Sequence, residues 1–149
     1  MCHGPLVLKN IDPLLTPALL AALREMGHGD VLAIVDRNFP AYASDRPVID
    51  LPAADTTAAA TAILSVLPVD DFDEPAAFHM HPVGEPDGRG PALDAFVAVL
   101  EKAEGRPAAV GGVERFEFYR RARDAYCVVA TGDTRPYACF LIVKGVVRD

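Results

Sequence analysis

The run Val31-Leu32-Ala33-Ile34-Val35, closed by Asp36, constrains the fold more than any other stretch of this chain. Consecutive apolar residues without polar alternation describe a strand covered on both faces, as in a mainly parallel sheet with helices on either side. The neighbouring patterns agree. Thr16-Pro17 reads as the N-cap and first position of a helix, with Leu19, Leu20, Leu23 and Met26 at helical spacing and Gly27 as its end. A short extended piece is expected near Val48–Leu51, after the turn-like Asn38-Phe39-Pro40. Asp55 caps a second predicted helix that runs to Leu67, where Pro68 stops it.

Residues 76–81 read as a further strand, residues 82–91 as a proline- and glycine-rich loop, and residues 92–104 as a helix ended by Gly105. Residues 113–116 are predicted as a short strand leading into a helix through Arg120 to Asp124. Residues 126–130 and 139–144 are the closing strands, separated by the turn Thr131-Gly132-Asp133. Helices that alternate with apolar strands predict an α/β fold: a single layered domain, residues 1–149, with a central, mainly buried sheet flanked by helices.

At 149 residues the chain is long enough to bury one core. Its net charge of −7 argues against nucleic acid as a ligand, because phosphate binding needs a basic surface. Cys2, Cys127 and Cys139 are odd in number and widely spaced, which fits reduced thiols in the cytosol. The first ten residues lack the pattern of a signal peptide, and no apolar run approaches the ~20 residues of a membrane span. A soluble, cytoplasmic protein without membrane partners is expected.

Neither a P-loop nor a GxGxxG cradle is present, so a nucleotide has no evident seat, and no Gly-x-Ser-x-Gly elbow points to a hydrolase. His79-Met80-His81 offers two imidazoles on one strand face without a third ligand at an obvious spacing, so no metal is expected. Met26-Gly27-His28-Gly29-Asp30 is the most suggestive motif: a histidine on a glycine-flanked turn is free to point into a cleft, and its unperturbed pKa lies near neutrality. Asp36 and Asp70 each end an apolar segment, where ligand sites of α/β sheets collect. Tyr119 and Tyr137 combine a hydroxyl with an aromatic face, which suits the polar edge and C–H face of a sugar.

These motifs, with Asn38-Phe39-Pro40-Ala41, Leu67-Pro68-Val69-Asp70, Arg115-Phe116-Glu117-Phe118-Tyr119, Ala130-Thr131-Gly132-Asp133 and Lys144-Gly145-Val146, resemble the L-fucose mutarotase family in order along nearly the whole chain. The related D-ribose pyranase family shares the Gly-His turn more loosely. The resemblance implies interconversion of the α and β anomers of a free monosaccharide without metal or organic cofactor. It also implies a homo-oligomeric ring, commonly a decamer, with sugar sites at subunit contacts. His28 matches the catalytic histidine and Asp36 its companion carboxylate, while Asp70, Arg115, Tyr119 and Tyr137 match sugar-contacting positions. Cys139, a further candidate for sugar contact, stands where the family usually has Asn, two residues after Tyr137, and even spacing on a strand predicts that both side chains share a face. The Arg-Ala-Asp-Gly turn of the family is replaced by Asp50-Leu51-Pro52-Ala53.

Anomer exchange needs one proton delivered to the ring oxygen and another removed from the anomeric hydroxyl, which is work for a positioned acid and base. His28 is the expected donor, with Asp36 to orient it and a tyrosine for the second proton. Eight residues at ~3.3 Å each part His28 from Asp36 by about 26 Å if extended, so either the turn folds back or the two meet across a subunit contact. Two other functions suit the same residues: pyranose–furanose interconversion of ribose, and sugar binding without catalysis.

Overall fold

Strands β1 (Val31–Val35), β2 (Val48–Leu51), β3 (Ala77–Met80), β4 (Val110–Val113), β5 (Cys127–Thr131) and β6 (Phe140–Val143) form one sheet in the order β2-β5-β1-β6-β3-β4. The structure is a computed structural model that describes residues 6–149, so Cys2 and the start of the N-terminal stretch lie outside the described residues. β1 pairs parallel with β5, β5 with β2, and β3 with β4, while β6 runs antiparallel between β1 and β3. The expected α/β architecture with a central buried sheet is what the chain adopts.

Helices α1 (Pro17–Glu25), α2 (Thr56–Leu64) and α3 (Leu93–Glu104) cover one face, and α4 (Arg115–Arg123) covers the other. Alternation along each strand supplies both layers. Leu32, Ile34, Val129, Phe140 and Ile142 face the three helices, whereas Ala33, Val35, Val128 and Leu141 face Phe118 and Ala122 of α4. Phe96 of α3 stacks flat on Phe140 at 4.1 Å between ring centroids, an aromatic pair at the centre of the larger layer. Full burial of each such ring contributes roughly 1.5–3 kcal/mol.

The element ends differ from the sequence reading in physically informative ways. α1 stops at Glu25, with Met26 turning extended, so Gly27 is not its left-handed cap. α2 ends at Leu64 rather than Leu67, because the Ser65 hydroxyl and N–H both turn back onto the Ala62 carbonyl. The strand expected at 113–116 lies earlier, at Val110–Val113, and α4 begins directly at Arg115. Glu114 decides that boundary, since its carboxylate accepts the N–H groups of Phe116 and Glu117 as an N-cap. Gly111 and Gly112 hid the strand from a reading by propensity, yet a Cβ at Gly111 would lie 2.9 Å from the Phe78 ring that packs over it.

A buried polar knot ties β5 to α2. Asp133 is 2% exposed and accepts the N–H and hydroxyl of Thr56 as well as the guanidinium of Arg135. Burial pushes its carboxyl up, but Arg135 and the backbone donors together outweigh this and hold it below the usual range. A carboxylate depressed in the folded state contributes stability above its unfolded pKa, near 3.9, and loses that contribution as pH falls through the folded value. Asp133→Asn is therefore expected to lower stability by about 2–4 kcal/mol at pH 7, with the gap to the parent narrowing below about pH 4. Urea denaturation at pH 7 and pH 3 checks both.

Candidate active site

Parallel strands end together. The carboxyl ends of β1 and β3 to β5 and the entry to β6 therefore place Asp36, His81, Arg115, Asp133, Tyr137 and Cys139 at one edge of the sheet. The opposite edge carries His28, just before β1, and Asp70, beside the exit of β6. The candidate residues thus fall into two groups, one at each edge.

The His28 edge is built around the end of β6. Asp30 N–H donates to the Gly27 carbonyl, and Gly29 has φ +91°, which makes Gly27-His28-Gly29-Asp30 a type II turn with His28 at its first corner. The Asp30 carboxylate accepts the Gly27 N–H and stiffens the turn. Gly29 N–H donates to the Lys144 carbonyl on one flank of β6, while Val69 bridges to Lys144 on the other. Lys144 in turn donates to the Leu23 and Met26 carbonyls at the end of α1. His28 and Asp70 consequently meet across the strand end: His28 Nε2 donates to Asp70 Oδ1 at 3.0 Å, with the two side chains 40% and 7% exposed. This contact holds the Asp70 carboxyl below its ordinary range.

Within one chain the carboxylate that orients His28 is therefore Asp70, not Asp36. Asp36 lies at the far end of β1, a separation of roughly 17 Å over the strand. It is 9% exposed, and its Oδ1 accepts the Asn38 N–H while its Oδ2 accepts the Cys139 thiol at 3.5 Å. Burial raises the Asp36 carboxyl above the usual value despite these bonds. Burial and the neighbouring Asp36 charge push the Cys139 thiol up as well.

Cys139 is 2% exposed and precedes β6 rather than lying in it. Tyr137 sits in a turn with φ 59°, so the even-spacing argument from a strand does not apply. Both side chains nevertheless pack on the layer under α4, together with Tyr119. The Tyr137 hydroxyl accepts the Val83 N–H, which ties it to the 82–91 loop. Tyr119 stands edge-on to Phe39 and Phe116 and lines a cavity of about 220 Å³ with Phe39, Pro40 and Arg123. One turn before it, the Arg115 guanidinium lies over the Phe116 ring, and its buried Nε has no hydrogen-bond partner among the described residues.

His79 is buried, and its imidazole and that of His81 both approach Gly112. Among the described residues no three His, Cys, Asp or Glu side chains gather in a way that could hold a metal ion, and no helix is long and apolar enough to cross a membrane. Sequence reasoning missed Arg106, whose guanidinium reaches the Asp70 carbonyl and pairs with Glu74 and Glu104. It also missed Phe72, whose ring meets the His28 imidazole edge-on at 4.7 Å. An aromatic residue two positions after a candidate aspartate was the available signal.

The likeness to known proteins runs over nearly the whole chain. A fucose mutarotase of Danio rerio is 40% identical over 146 residues, covering 95% of each chain. The fucose mutarotase of Homo sapiens is 38% identical over 146 residues, covering 94% of each. The crystal structure of the fucose mutarotase from Streptococcus pneumoniae in complex with L-fucose superposes with a TM-score of 0.87 at 30% identity, over 95% of this chain and all of that one. The conserved features of one family match residues 9–147, and the chain belongs to that family, the RbsD / FucU transport protein family.

Proposed function

We propose that this protein is a sugar mutarotase, an isomerase that interconverts the α and β anomers of L-fucose by acid/base-assisted ring opening and closing, in a single domain spanning residues 1–149. The observation that carries the reading is His28, exposed on a rigid turn with Nε2 committed to a buried carboxylate. That bond fixes the orientation of the ring and leaves Nδ1 to face a substrate. The relatives described as fucose mutarotases support the sugar's identity.

In this mechanism His28 delivers a proton to the ring oxygen as the C1–O5 bond breaks. Asp36 accepts the proton of the anomeric hydroxyl, for which a buried carboxyl with a raised pKa is the better base. The carbonyl carbon then rotates, and the reverse transfers close the ring on the other face. Arg115, Tyr119 and Tyr137 hold the hydroxyls, and Cys139 fixes Asp36. No cofactor enters these steps. Because His28 and Asp36 occupy opposite edges of one sheet, a working site takes His28 from one subunit and Asp36 from the next. Head-to-tail contact of this kind closes into a ring, here a decamer in the cytoplasm.

Saturation transfer between the anomer signals of L-fucose tests the reading. Exchange above the buffer rate supports it. Exchange only between pyranose and furanose ribose would assign the other ring-opening reaction, and binding without exchange would assign a sugar-binding module.

Three outcomes follow from the residues. His28→Gln is expected to lower fucose exchange by about 10²–10⁴-fold with the melting temperature kept, and Asp70→Asn by at least about tenfold; a change within twofold in either variant refutes its role. Asp36→Asn is expected to lose activity yet gain thermal stability at pH 7. A carboxyl raised by burial favours the folded state at low pH and disfavours it once ionised, so the gain disappears below about pH 4 and a pH series of melting curves reads it directly. Finally, mixing His28→Gln and Asp36→Asn chains before reassembly is expected to restore about a quarter of the parent activity, because one contact in four then joins two intact halves. Additive residual rates alone would place the whole site within one subunit.

A further inference from the structure

Phe72 is 63% exposed, yet it is not a loose surface ring. Its N–H donates to Asp70 Oδ1, the same oxygen that receives His28. Its ring meets the imidazole at 4.7 Å and 61°, and the Arg148 guanidinium lies 5.2 Å from its centroid. Arg148 is itself held by the Asp71 carboxylate, which that contact keeps below its usual range. Three consecutive residues therefore form one device: Asp70 orients the acid, Asp71 anchors a cation, and Phe72 is fixed between the two. An aromatic ring locked on two sides while most of its surface stays open is a platform for an apolar face.

We propose that Phe72 is a specificity-determining residue for the sugar, the wall against which its C5–C6 side rests. This rests on the mutarotase reading and adds to it the choice of substrate. A proton donor to the ring oxygen sits beside O5, and C6 is only two bonds from O5 through C5. The group in contact with the imidazole therefore meets whatever C6 carries. A phenyl ring without a hydroxyl receives a methyl well and leaves a hydroxymethyl without a hydrogen-bond partner. The chemical class selected is a 6-deoxy hexose over its 6-hydroxy counterpart. Of the two donors against the ring among the described residues, His28 is turned to Asp70 through Nε2 and Arg148 to Asp71 through Nη1.

The test compares anomer exchange of L-fucose and L-galactose, which differ only at C6, by saturation transfer on the full chain. The parent is expected to favour fucose in kcat/KM by about tenfold, the scale on which an apolar pocket discriminates a small substituent. Phe72→Ala is expected to bring that ratio to within about twofold of one, and Phe72→Leu, which keeps apolar area without the ring, to an intermediate value. Equal losses for both sugars would reduce Phe72 to a support for His28 and overturn the proposal. An unchanged ratio would overturn it too, and dissociation of the assembly alongside an unchanged ratio would reassign the ring to a subunit contact. A parent that exchanges neither sugar refutes the mutarotase reading itself, and this proposal with it.

Discussion

The antiparallel pairing of β1 with β6 is the contact on which both halves of the proposed site depend. Residues Val31 to Ile34 face Val143 to Phe140 in register at the centre of the sheet. At one end of this ladder, the Lys144 backbone catches the His28 turn and the Val69-Asp70 segment on opposite flanks. At the other end, Cys139 leads into β6 beside Asp36, which leaves β1. An all-parallel sheet would put every strand exit at one edge. Reversing a single central strand makes a second edge where chain segments converge.

The two carboxylates at these edges are placed in opposite environments. Asp70 is held ionised by a hydrogen bond from His28, whereas Asp36 is pushed toward its neutral form by burial. Titratable groups whose environments differ in this way are suited to separate roles, one as a permanent charge and one as an exchanger of protons. The Cys139 thiol fits the second environment. It is a weak donor, so it orients Asp36 without stabilising its charge as a strong donor would.

Much of this was legible in the chain. The apolar run at Val31–Val35 and the caps at Thr16 and Asp55 identified a layered α/β fold, because they are local signals with local causes. The candidate residues were legible by type, His28 above all. Their grouping was not, since the meeting of His28 with Asp70 depends on β6 joining segments 42 residues apart. β4 was hidden for another reason: its glycines lack strand propensity, and the need for Gly111 comes from the Phe78 ring that lies over it. Phe72 escaped notice because an exposed phenylalanine says nothing until its neighbours in space are known.

The five residues of β1 touch no proposed substrate atom, yet they set the spacing between His28 and Asp36, the two proposed catalytic groups. Side chains alternate along a strand, so inserting or deleting one residue there would turn the remainder to the opposite face. In the proposed ring, such a change would also alter the repeat distance from one subunit's histidine to its own aspartate, and with it the angle through which successive copies must turn. Strand length in this protein would thus be a gauge for the proposed assembly. Its apolar residues can exchange for one another more freely than their number can vary.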